Sequence, residues 1–150
     1  MNEIDYMKIA YSEALKDVEM GIYPVGALIV INDEIICQTR NGTVTEFDPT
    51  SHAEITAIRE ACLKLRRDTL EDAVLYTTLF PCPMCEAAII EAKIKKVVFG
   101  AGSYKWIREV KFSTEHINYS GPVLDSECRG IFENELKKRG KNHIINYEDS

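Results

Sequence analysis

Residues 74–100 read Val74-Leu75-Tyr76-Thr77-Thr78-Leu79-Phe80-Pro81-Cys82-Pro83-Met84-Cys85, then an apolar run to Ala92, then Lys96-Val97-Val98-Phe99-Gly100. Val74 to Thr78 is rich in β-branched and aromatic side chains and predicts a strand. Cys82 to Ala92, behind Pro81, predicts a helix, and Lys96 to Gly100 a short buried strand. Strand and helix alternate, which is the pattern of an α/β chain.

Upstream, Ile4, Met7, Tyr11, Ala14, Leu15 and Val18 recur at three- and four-residue steps, so the N-terminal stretch predicts an amphipathic helix ended by Gly21. Val25 to Ile31 and Glu34 to Thr39 flank Asn32-Asp33 and predict a hairpin. A loop with Asn41-Gly42 and Asp48-Pro49 follows. Ala53 to Leu65 then predicts a helix with Ile55, Ile58, Cys62 and Leu65 on one stripe. Downstream, Gly102 to Gly121 carries Tyr104, Trp106, Phe112 and Tyr119 but no clean period. Asp125 to Arg139 predicts a last amphipathic helix capped by Asp125 or Ser126, and His143 to Tyr147 a terminal strand or an ordered tail. This order implies a mixed sheet with helices on its faces.

The chain has 150 residues, with 45% hydrophobic and 28% charged side chains and no repeat or long linker, which fits a single domain. Eighteen Lys and Arg against 24 Asp and Glu give a net charge of −6, which argues against a surface dominated by phosphate binding. The cysteines are Cys37, Cys62, Cys82, Cys85 and Cys128. Their odd number and scattered spacing do not make a disulfide framework, so a reducing, cytoplasmic setting is expected. The acidic start Met1-Asn2-Glu3-Ile4-Asp5 is unlike a leader, and no apolar run is long enough to span a membrane.

Chemistry concentrates at two places. Cys82 and Cys85 are three residues apart, so at the start of a helix both sulfurs can reach one metal, and the helix N-terminus favours thiolate. A lone C-x-x-C also fits a redox pair of the thioredoxin type. Upstream, His52-Ala53-Glu54 opens the preceding helix with an imidazole and a carboxylate. One imidazole and two thiolates form a catalytic zinc set, in which three protein ligands leave a fourth position for water. Cys37, Cys62, Cys128, His116 and His143 each stand alone, and a lone Cys is most often a small buried hydrophobe. Ser51-His52-Ala53-Glu54 is also the S-x-x-E capping box, in which Glu54 would only finish a helix. Beside two thiolates the bound water is acidified less than at a site of neutral ligands, so a general base is needed, and Glu54 can supply it.

These residues resemble the zinc-dependent cytidine and deoxycytidylate deaminase superfamily, with its H-x-E…P-C-x-x-C signature. Pro24-Val25-Gly26-Ala27, Asn41, Asp48-Pro49-Thr50-Ser51-His52-Ala53-Glu54, Leu75 to Leu79 and Val97 to Gly100 extend the resemblance over most of the chain. It implies a three-layer α-β-α sandwich around a mixed sheet of about five strands. It also implies one Zn²⁺ per subunit on His52, Cys82 and Cys85, and a homodimer. The implied reaction is hydrolytic removal of an exocyclic amine from a nucleobase or nucleoside. Glu54 takes a proton from water and passes it to the ring nitrogen and the departing ammonia. Asn41 and the backbone N–H of Ala53 would bind the base, and Val25 would line the pocket.

Three subgroups compete for the substrate. Against the tRNA adenosine deaminases, Ala101-Gly102-Ser103-Tyr104-Lys105-Trp106 lacks their Asp-x-Lys-x-Gly-Ala segment, and Glu135-Leu136 replaces a paired Phe. The run Lys137, Lys138, Arg139 and Lys141 reads as a solvated helix end. Against guanine deaminases, residues 100–121 show little likeness. Against cytosine deaminases of the fungal type, Leu124-Asp125-Ser126-Glu127-Cys128 is similar, and Tyr104, Trp106, Tyr147 and Glu148 or Asp149 could close the pocket. Phe80 departs from the Glu or Ser that most relatives carry there. A cytosine-like small base is therefore favoured over guanine, and tRNA adenosine is disfavoured by the negative charge. A structural zinc module, with Glu54 as a mere cap, is the non-enzymatic alternative.

Overall fold

The computed structural model describes residues 1–102 and 117–139. Its elements, in order, are α1 (Glu3–Glu19), β1 (Gly26–Ile31), β2 (Glu34–Arg40), α2 (Ala53–Leu65), β3 (Ala73–Leu79), α3 (Pro83–Glu91), β4 (Lys96–Ala101), β5 (Asn118–Ser120) and α4 (Asp125–Lys138). The sheet order is β2-β1-β3-β4-β5. β1 pairs antiparallel with β2 and β3, whereas β3–β4 and β4–β5 are parallel. Asn32 and Asp33 both have positive φ, as a two-residue hairpin turn of the right twist requires.

All six residues of β1 are buried, because this central strand is covered on both faces. Ala27, Ile29, Leu75 and Val97 pack against Ala53, Ala57 and Ala61 of α2 and Ile89 of α3. Leu28, Val30, Tyr76 and Val98 pack on the other face against Tyr6, Met7 and Ala10 of α1 and Cys128 of α4. The result is the three-layer α-β-α sandwich with a mixed sheet. Gly26 lets the layers meet: a Cβ there would stand 2.9 Å from the Ala14 nitrogen and would overlap the Ala10 carbonyl.

Several local expectations are corrected. In α1 the buried face is Tyr6, Met7, Ala10 and Ala14, while Ile4 and Leu15 are exposed. The helix begins with an Asn2–Asp5 capping box that the periodicity does not reveal. It stops at Glu19 with Met20 as C-cap, and Gly21 follows with φ +68°. The buried stripe of α2 is centred on alanines, with Ile58, Cys62 and Leu65 at its margin, because small residues let the helix lie close to the sheet. Leu124, in the left-handed region, precedes α4 and no side chain caps it, so Asp125 and Ser126 lie inside the helix instead. β5 falls within the unassigned stretch before Gly121. The rest of that stretch, with Tyr104, Trp106 and His116, lies outside the described residues, as do His143 to Tyr147, Glu148 and Asp149.

The remaining cysteines are core residues, as expected of lone thiols. Cys37 and Cys128 are buried and Cys62 packs at the core margin. Burial pushes the Cys37 thiol up to about 11 and Cys128 to about 12. Among the described residues, no helix is long and apolar enough to cross a membrane.

Candidate metal centre and its cleft

The centre forms where β3 ends and two helices begin. His52 is the N-cap of α2, and Cys82 is the N-cap of α3 with Pro83 in the first turn. Pro83 lacks the N–H that would be orphaned there and has a φ suited to a helix start. Both helix N-termini therefore face the centre and favour negative charge on the sulfurs. The imidazole Nδ1 lies 3.6 Å from Cys82 Sγ and 3.4 Å from Cys85 Sγ. Zn–S bonds of about 2.3 Å and Zn–N bonds of about 2.0 Å at tetrahedral angles place such ligands roughly 3.5 Å apart. The three residues thus fit one zinc ion, and no further His, Cys, Asp or Glu joins their group among the described residues.

Electrostatics agree with that donor set. The Cys85 thiol beside Cys82 brings the Cys82 pKa down to about 4, against burial, with His52 helping. Cys85 is pushed up, first by its hydrogen bond to Cys82 and then by burial. One thiol is therefore ionised readily while its neighbour keeps a proton that a divalent cation would displace. The Cys82 hydrogen bond raises His52.

Glu54 is 4% exposed. Burial, then the Cys82 thiolate, raises its carboxyl to about 7. The capping-box reading of this residue does not hold. His52, not Ser51, is the N-cap and receives no side-chain cap, and the Ser51 hydroxyl donates instead to Glu46 Oε2 at 2.6 Å. Glu54 is left without a capping role, as a buried carboxylate beside the three metal donors.

A cleft of about 330 Å³ opens over this centre, with His52, Ala53, Glu54 and Cys82 in its lining. That volume is within the range of small-ligand sites. Val25 and Asn41 line it as well. Asn41 is held firmly: its Nδ2 donates to the Tyr23 carbonyl at 3.1 Å and its Oδ1 accepts from Thr43 N at 2.9 Å. One amide hydrogen and one lone pair remain for a ligand.

Sequence reasoning missed Tyr23, Leu79, Phe80, Phe132 and Leu136, which supply the apolar lining. Phe80 stacks on Tyr119 with ring centroids 4.5 Å apart and meets Phe99 edge-on. Its departure from the family pattern was the available signal. Arg139 is not simply a solvated helix end. It lies 4.1 Å from the centroid of the Tyr23 ring, pairs with Glu135 at 3.0 Å and donates to the Gly21 carbonyl. The basic end of α4 therefore flanks the cleft.

A three-layer sandwich with one imidazole and two thiols at helix N-termini, beside a buried carboxylate, offers the donor set and the proton-transfer group of a zinc hydrolase. The family model of the cytidine and deoxycytidylate deaminase zinc-binding region matches residues 1–101. A tRNA-specific adenosine deaminase of Bacillus subtilis (strain 168) is 43% identical over 148 residues, 91% of each chain. A solved tRNA:A34 deaminase, which performs A-to-I editing at the wobble position of transfer RNA, superposes with a TM-score of 0.65. It is 40% identical and the match covers 67% of this chain and 78% of that one. The guanine deaminase of Bacillus subtilis superposes with a TM-score of 0.67 at 34% identity, covering 98% and 99%. The chain belongs to the cytidine and deoxycytidylate deaminase family and is a zinc-dependent enzyme acting on C–N bonds. These relatives support the tRNA and guanine alternatives better than the cytosine-like preference read from the sequence.

Proposed function

We propose that this enzyme deaminates a purine, first of all an adenosine of transfer RNA, converting its C6 amine to a carbonyl with release of ammonia. The observation that carries this reading is the likeness to the Bacillus subtilis tRNA enzyme over 91% of both chains, α4 included. The expectation that a net charge of −6 disfavours RNA averaged over the whole chain. The charge that matters is local, and Lys137, Lys138 and Arg139 follow directly on Leu136, which lines the cleft together with Phe132.

In this reading His52, Cys82 and Cys85 hold zinc, which when bound supplies a Lewis acid that acidifies water. Glu54 accepts one proton of the attacking water and delivers it to the ring nitrogen, then carries the second, from the hydroxyl added at the ring carbon, to the leaving amine. A carboxyl whose pKa is near neutrality can both accept and return a proton. Asn41 and the Ala53 N–H orient the base edge, and Val25 and the aromatic lining exclude water from its faces. The atoms balance: water adds oxygen and two hydrogens, and the amine departs as ammonia.

A second reading, deamination of free guanine, is favoured by the superposition over 98% of the chain on the guanine deaminase. Ammonia release from an anticodon stem-loop with adenosine at the wobble position, from free guanine and from cytosine separates them. The tRNA reading expects release from the RNA alone. Release from guanine alone would replace it with the second reading, and release from cytosine alone would overturn both.

A further inference from the structure

Asp17 lies on α1, outside the cleft, and touches neither the metal donors nor Glu54, yet it is a fully buried carboxylate. Its Oδ2 accepts from the backbone N–H of Val25 at 3.3 Å and of Asn41 at 3.2 Å. The Asn41 N–H is shared with the Val25 carbonyl at 3.2 Å, while the Asn41 amide ties in Tyr23 and Thr43. Tyr23, Val25, Asn41 and Thr43 all line the cleft. One carboxylate thus sits at the knot that fixes an entire wall. Its other oxygen, Oδ1, is buried without a hydrogen bond, and its nearest cation is Arg40 Nε at 4.0 Å. A buried acid so poorly served by its other oxygen contributes little as an element of packing.

We propose that Asp17 is a positioning residue for substrate binding, whose carboxylate holds Val25 and Asn41 in register with the metal centre. The proposal rests on the cleft being the substrate site. Hydrogen bonds to an ionised acceptor are stronger than those to a neutral one. The wall is therefore tightest when Asp17 is charged. Burial raises its pKa to about 6, opposed by the two backbone N–H groups and by Arg40 on β2, and reinforced by Glu13 on its own helix. Glu13 is itself bound to Lys16 and Gln38. Substrate affinity accordingly falls as Asp17 gains its proton, while the proton transfers of Glu54 are untouched.

The test combines NMR with kinetics. In wild type the backbone amide signals of Val25 and Asn41 shift together with a midpoint near pH 6. In Asp17→Asn that shared titration disappears, and in Arg40→Gln, which leaves the carboxylate in place, its midpoint moves upward. Kinetics on the anticodon stem-loop, with free guanine in parallel, give Asp17→Asn a KM raised at least about tenfold near pH 8 with little change in kcat. The KM ratio of variant to wild type shrinks below pH 6, where wild type is also neutral. Amides that do not titrate together, or a loss in kcat with KM unchanged, would overturn the proposal. If wild type deaminates neither compound, the substrate reading fails and the amide titrations alone decide on Asp17.

Discussion

Replacing Gly26 by alanine tests how closely α1 must lie on the sheet. The new Cβ would be 2.9 Å from both the Ala10 carbonyl carbon and the Ala14 nitrogen, and closer still to the Ala10 oxygen. These are backbone atoms that no rotamer change can move. Restoring contact would require α1 to retreat by about 1 Å or more. Met7 and Ala10, both fully buried, would lose their fit to Leu28 and Val30. Gly26 N would also move from Thr78 Oγ1, which now accepts its hydrogen bond at 3.1 Å. Overpacking and the lost bond together place the destabilisation at about 3 kcal/mol, or roughly 6–12 °C in Tm for a domain of this size. Gly130, inside α4, has nothing within 4 Å of an added Cβ. Gly130→Ala should instead stabilise by up to about 1 kcal/mol through helix propensity. Urea denaturation of the two variants gives opposite signs. A Gly26→Ala protein within about 0.5 kcal/mol of wild type would refute the reasoning.

Cys85→Ser should leave much less than one zinc per chain after dialysis, and chelation should lower the Tm of wild type far more than that of the variant, because only wild type loses a ligand of the folded state. Equal zinc in the two proteins would contradict the proposed ligand set. The raised pKa of Asp17 makes its folded form bind a proton more readily than the unfolded chain does, so its contribution to stability falls as pH rises from about 4 to about 6. Relative to wild type, Asp17→Asn should therefore gain about 3 kcal/mol across that window in urea titrations. A difference that stays flat with pH would show that the carboxylate is not destabilised by burial.

The α/β order and the ligand residues were legible because they rest on local signals. Alternation of period marks β3, α3 and β4, and a C-x-x-C behind a proline is a compact motif. The same locality explains the misreadings. Leu15 and Ile4 fit the helical period but face solvent, since period alone does not say which edge of the stripe the sheet covers. Ser51 fits a capping box but its hydroxyl is taken by Glu46, a competitor five residues upstream. The apolar lining joins Tyr23, Phe80, Phe132 and Leu136 from three separate segments, and no sequence window contains them together. Asp17 gave no signal because its partners are backbone amides at Val25 and Asn41, which every residue type offers. A net charge summed over the chain does not say where charge sits, and the basic end of α4 flanks the cleft.

The central claim is that Glu54 moves the proton at a zinc centre built on His52, Cys82 and Cys85. Glu54→Gln keeps the size and the burial but removes the base, so zinc content and ammonia release should be measured on the same preparation of variant and wild type. The account predicts one zinc per chain in both and a rate reduced at least about 10²-fold in the variant. An undiminished rate with zinc in place would contradict it.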